Sequence, residues 1–214
     1  MIIVPEIQTV VILVPRTGSG SLRRAIAAKY PGSVLLYRHM EAEGVPAGYD
    51  RWQKVGVLRD PVQRLWSLYK FCQRFREKFG EHSDQEQAHV DAIVQSVDMP
   101  FSEWIVNNQL PFTNPYDSSG RGRFWPQYTV RHSLPENRKS QFVYLRPDLG
   151  TKVYPYSGLG TLYQELGIAD LFRTNSTPPS PAPQLSDEAK DHVRRFFAWD
   201  FAALRNNRIL GRVA

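Results

Sequence analysis

Residues 11–26, VILVPRTGSGSLRRAI, place a Gly/Ser turn between an apolar run and a helix-forming stretch. Gly18, Ser19, Gly20 and Ser21 follow the run directly and lead directly into the helix. Glycines let a backbone turn tightly and approach a ligand closely. The unpaired N–H groups and positive dipole end of a helix start then face an anion. Thr17, Ser19 and Ser21 add hydroxyl donors, and Arg16 stands just before the turn. Such a loop can hold a phosphate, although a purely structural turn has the same composition. The nucleotide triphosphatase pattern GxxxxGK[ST] is not met, because no Lys follows Gly20.

A second segment, VGVLRDPVQRLWSLY at residues 55–69, adds charge. Asp60 is a natural N-cap, Pro61 suits the first helical position and Gln63 falls at the third, as in a capping box. Arg59 thereby sits at a strand's carboxyl end, where open α/β sheets bind ligands. Arg64 lies one turn into the helix and Ser67 about two. Two guanidiniums and a hydroxyl there suit a phosphate monoester dianion; a capped surface helix with solvated arginines would read the same way. For proton transfer, His39 follows the predicted strand Ser33 to Tyr37 on the same rim, and imidazole titrates near neutrality. Glu41 and Glu43, in the same loop, are the alternatives. His82, His89, His132 and His192 lack metal-ligand spacing, so no metal is expected.

Together, PRTGSGSL and LRDPVQRLWSLY resemble the sulfotransferase family that uses 3′-phosphoadenosine 5′-phosphosulfate (PAPS). The resemblance implies that Arg16, Thr17, Gly18, Ser19, Gly20, Ser21 and Leu22 hold the 5′-phosphosulfate. Arg59 and Ser67 fall on the family's 3′-phosphate ligands. The loop departs from the family at Gly20, where Ser or Thr is frequent, and at Arg16, where Lys is commoner. An Arg keeps the charge but does not donate a proton near neutral pH. WPQ, from Trp125 to Gln127, looks like the acceptor-side segment of carbohydrate sulfotransferases. Glu41, Arg121, Arg123, Trp125 and Gln127 are acceptor-side candidates, since Arg and aromatics suit an anionic or sugar acceptor, although ordinary loop decoration has the same composition. LYQELGI looks like the short helix that follows an acidic strand end, with Ser157 or its neighbours where Glu is common. LSDEAKDHVRRFFAWDFAAL resembles the closing helix with its buried aspartate, here Asp200. The implied reaction moves a sulfuryl group to a hydroxyl or amine, with a carbohydrate among the candidate acceptors, and leaves adenosine 3′,5′-bisphosphate.

The elements that must position these residues are short. Strands are predicted at Thr9 to Val14, Ser33 to Tyr37, Lys54 to Leu58, Gln141 to Leu145 and Lys152 to Tyr156. Helices are predicted at Ser21 to Lys29, at Asp60 to about Phe79, across parts of 80–110, and from Ser186 onward. Strand, turn, helix and strand form a βαβ unit. The expectation is a single α/β domain over residues 1–214, three-layered and P-loop-like. Its central, mainly parallel sheet would have four to five strands flanked by helices.

Composition narrows the classes. No apolar run approaches the ~20 residues of a membrane span, and the N-terminal stretch reads as strand rather than as a signal peptide. A single cysteine, Cys72, excludes an internal disulfide and a thiolate metal cluster. A cytoplasmic location is expected. The net charge of +6 favours anionic partners. A P-loop kinase or nucleotide triphosphatase is disfavoured by the missing Lys. A basic nucleic-acid-binding protein is permitted by charge, but no motif for it is present.

Overall fold

The N-terminal apolar stretch folds back on itself. Strands β1 (Ile2–Val4) and β2 (Thr9–Ile12) are joined by a 3₁₀ turn at Pro5–Ile7, and Gln8 closes it in the left-handed region at φ 46°. Pro5 removes a ladder donor and Glu6 interrupts the apolar run, so one long strand cannot form. The computed structural model describes residues 1–75, 84–113, 133–169 and 181–206.

Three further strands, β3 (Val34–Leu35), β4 (Gln53–Leu58) and β5 (Thr151–Pro155), complete a five-stranded sheet in the order β3-β1-β2-β4-β5. β2, β4 and β5 run parallel, whereas β1 is antiparallel to both β2 and β3. The sheet is therefore mixed rather than mainly parallel. The expected βαβ unit survives only in direction: β2 and β3 point the same way, but the hairpin strand β1 lies between them.

Eight α-helices accompany the sheet among the described residues: α1 (Ser19–Lys29), α2 (Pro61–Gln73), α3 (Asp84–Ser96), α4 (Phe101–Asn107), α5 (Gln141–Leu145), α6 (Leu159–Glu165), α7 (Asp187–Phe196) and α8 (Ala198–Arg205). Alternation along the strands sends Ile2, Val11, Val55 and Val57 to a core shared with α1 and α6. Ile3, Val10, Ile12 and Leu58 go to the opposite core, with Tyr144, Leu145 and Ala203. A third core joins α2, α3, α4 and α7 around Leu65, Leu68, Trp104 and Phe197.

Two boundaries correct the sequence reading. Gln141 to Leu145 is a helix, not a strand. Ser140 caps it by accepting from the Phe142 N–H at 3.2 Å, and Arg146 ends it at φ 44°. It lies directly on the sheet at Gly56, where a Cβ would come within 2.3 Å of Leu145 Cδ2. The single C-terminal helix is instead two, α7 and α8, broken at Phe197. Helix α2 ends at Gln73, short of Phe79, which lies outside the described residues. No helix among the described residues is long and apolar enough to cross a membrane.

Candidate functional site

The loop after β2 is shaped by two left-handed residues. Arg16, at φ 65°, and Gly18, at φ 81°, turn the chain into α1, with Gly18 as its N-cap. A non-glycine residue in that region carries backbone strain of about 1–3 kcal/mol, so the fold holds Arg16 there against a cost. Glycine at 18 is favoured by its φ, and an added Cβ would sit 3.2 Å from Leu159 Cδ1, so that this side chain would have to give by a few tenths of an ångström. As a glycine, Gly18 supplies no side-chain cap to α1, leaving the positive end of the helix to the loop. Gly20 is different, since a Cβ there meets nothing within 4 Å. The Ser or Thr common at that position in the resembled family would fit.

Two residues assigned to this loop do other work. The Thr17 hydroxyl is buried and donates to the Val14 carbonyl at 2.9 Å, so its proton is not offered to a ligand. The Leu22 side chain is core, and its N–H is used inside the helix on Gly18 O at 3.0 Å.

The strained backbone of Arg16 brings the two segments together. Arg16 Nε donates to Ser67 Oγ at 3.2 Å, and Arg59 Nη1 donates to the Arg16 carbonyl at 3.0 Å. Each guanidinium also lies over a ring, Arg16 on Phe71 at 4.5 Å and Arg59 on Tyr156 at 4.7 Å. Among the described residues neither forms an ion pair with a carboxylate. Burial lowers the Arg16 pKa to about 10, and it lowers that of Arg59 as well. Lys70, one turn beyond Ser67, is lowered by burial first and then by both arginines. Arg59 depresses the pKa of Arg16, and both depress that of Lys70, a repulsion that a bound anion would relieve.

A cleft of about 330 Å³ opens beside Arg59, lined also by Asp60, Gln63, Tyr156, Ser157 and Leu204. Tyr156, 41% exposed, lines it with the Arg59 guanidinium lying over its ring. Sequence reading missed Tyr156 and Phe71. Tyr156 follows β5 at its carboxyl end, the rule that located Arg59, and Phe71 lies four residues after Ser67 on the same face of α2.

Arg64 is not part of this cluster. It is fully buried, with Nη1 on Glu136 Oε2 at 2.6 Å and Nη2 on the Lys139 carbonyl at 3.1 Å. Glu41 likewise is buried in an ion pair with Lys139 at 2.7 Å, which removes it as a base or acceptor-side group. Glu43 pairs with Arg146 at 3.3 Å. His39 does reach the rim, with Nδ1 2.7 Å from the Leu13 carbonyl and its ring 6.2 Å from Phe112. It does not titrate near neutrality, because burial pushes its pKa down to about 3. Since Leu13 O can only accept, Nδ1 carries the proton and Nε2 keeps its lone pair.

His89 and His192 lie against the carbonyls of Phe112 and Asn137. Among the described residues no group of His, Cys, Asp or Glu could hold a metal ion. Arg121, Arg123, Trp125, Gln127, His82 and His132 lie outside the described residues. Comparison with family models finds no match, and comparisons with curated proteins and with solved structures likewise find none.

Proposed function

We propose that this chain is a PAPS-dependent sulfotransferase with a P-loop-like phosphate cradle. The observation that carries the reading is the convergence of Arg16, Ser67 and Arg59, which come from two segments far apart in sequence, into one cluster in which neither arginine forms a carboxylate ion pair among the described residues. The residues suit a ligand with two separated phosphate groups. The uncapped start of α1 and Arg16 suit the 5′ end, Arg59 and Ser67 the 3′-phosphate, and the cleft beside Tyr156 the nucleoside between them. Bound there, PAPS would supply the sulfuryl group and leave as adenosine 3′,5′-bisphosphate.

The chain's own task is positioning and charge stabilisation. Arg16 remains a cation at neutral pH even with its pKa lowered to about 10, so it offsets negative charge at the transfer point without giving up a proton. His39 is tied to the carbonyl of Leu13, three residues before Arg16. Its Nε2 would take the proton of an acceptor hydroxyl or amine as attack makes that group acidic.

The test is calorimetric titration with adenosine 3′,5′-bisphosphate, Mg²⁺·ATP and a random oligonucleotide. Selective binding of the bisphosphate without Mg²⁺ is expected; equal binding of ATP overturns the reading. Screening acceptors with labelled PAPS, sugars first, then measures transfer. With an acceptor in hand, His39→Ala should abolish transfer while bisphosphate affinity stays within about twofold. The acid limb of the wild-type rate should fall well below pH 6.5, because a base with its pKa lowered to about 3 stays unprotonated until strong acid. A limb centred near pH 6.5 would remove His39 from that role.

A further inference from the structure

Arg59 stands one residue past the end of β4, where the ladder to β5 has stopped at the Leu58–Pro155 pair. Its backbone nevertheless has a partner of another kind. The Arg59 N–H donates to Gln141 Oε1 at 3.0 Å, and Gln141 Nε2 donates to the Arg59 carbonyl at 2.7 Å. One side-chain amide thus occupies both backbone polar groups, as a neighbouring strand would. Gln141 is fully buried, and no feature of its sequence context marks it.

The amide is itself held in one orientation. Asp200, also fully buried, accepts from Ser140 Oγ at 2.7 Å, from the Gln141 N–H at 3.0 and 3.2 Å, and from Gln141 Nε2 at 3.3 Å. A carboxylate receiving this set of donors faces the NH₂ side of the amide. Oε1 is then left for the Arg59 N–H, and the second Nε2 hydrogen for the Arg59 carbonyl. A flipped amide would set oxygen against oxygen at Asp200 and at the Arg59 carbonyl, and donor against donor at the Arg59 N–H.

We propose that Gln141 is the positioning residue for Arg59: with Asp200 fixing its amide, it locks the backbone from which the guanidinium reaches the anion cluster. This rests on the reading of Arg59 as the 3′-phosphate ligand. Gln141 touches no ligand in this scheme and acts only through Arg59.

The test is the ratio of affinities for adenosine 3′,5′-bisphosphate and adenosine 5′-monophosphate, which isolates the 3′-phosphate contribution. In the wild type the ratio should exceed ten, and Arg59→Ala should bring it near one. Gln141→Met, similar in volume but without the amide, should lower the ratio at least fivefold and leave monophosphate affinity within twofold. The double variant should be no worse than Arg59→Ala alone.

A Gln141→Met variant that keeps the wild-type ratio while Arg59→Ala loses it overturns the positioning role and leaves the functional reading standing. A wild type without any preference for the bisphosphate overturns both. If Gln141→Met does not fold, amide hydrogen exchange on the wild type decides. Protection of the Arg59 N–H comparable to that of Val57 supports the proposal, and exchange at a free-peptide rate overturns it.

Discussion

Arg64→Met is expected to destabilise the fold by about 3–5 kcal/mol, the usual cost of stranding one member of a buried ion pair. Arg64 and Glu136 are both essentially inaccessible, 2.6 Å apart. The guanidinium also ties down the carbonyls of Lys139 and Glu136 at 3.1 and 3.4 Å. Tyr144 donates to the other oxygen of Glu136, so without Arg64 the carboxylate keeps one neutral donor and loses its countercharge. Urea unfolding of the variant measures the loss. The double variant Arg64→Met/Glu136→Leu should recover a large part of it, because removing both charges leaves no unpaired ion. A loss below about 1 kcal/mol in the single variant would mean that the pair behaves as if solvated.

Arg59→Ala should act the other way round, on binding far more than on stability. A charge-assisted hydrogen bond is worth roughly 1.5–3 kcal/mol, which predicts an affinity for adenosine 3′,5′-bisphosphate weaker by about ten- to a hundredfold. The fold loses one hydrogen bond to Arg16 O and the Tyr156 stacking. It also sheds a cation from a cluster in which Arg16 and Lys70 are depressed by its charge. These effects oppose each other, so the melting temperature should move little. Arg59→Lys should fall between the two, keeping charge but losing the planar fork. Affinity unchanged in Arg59→Ala would remove the residue from the anion site. Weakened binding with unchanged stability in Arg59→Ala, beside destabilisation in Arg64→Met, would separate the roles of two arginines five residues apart.

That separation was not legible in the sequence. LRDPVQRLWS presents both arginines at a helix start, and local pattern treats them alike. Burial of Arg64 is decided by Glu136, 72 residues later in the chain. Arg59, by contrast, was found because strand, cap and proline are local signals, and the structure keeps all three, with Asp60 accepting from the Gln63 N–H at 2.9 Å. The carboxyl-end position of His39 was legible for the same reason, while its neutrality was not, since desolvation comes from tertiary packing. Gln141 to Leu145 was misread because QFVYL fits a period of two and a single helical turn equally well. The mixed sheet escaped because the N-terminal apolar run hides a hairpin behind Pro5. Asp200 was expected to be buried and is fully so; its hold on the Gln141 amide has no local signature.

The hairpin strand between β2 and β3 also bears on the order in which the molecule assembles. Val4 pairs with Thr9 across a short turn, a closure that costs little entropy and belongs to the microsecond events of folding. Lys54 and Thr151 are partners roughly a hundred residues apart, a contact of the kind that slows folding. Arg59 extends from one of these late-meeting strands and Tyr156 from the other. The hairpin is therefore expected to form early, and Arg59 and Tyr156 to meet only when the last parallel pair zips up. Recovery of bisphosphate binding after dilution from denaturant should lag behind the first burial of the N-terminal strands.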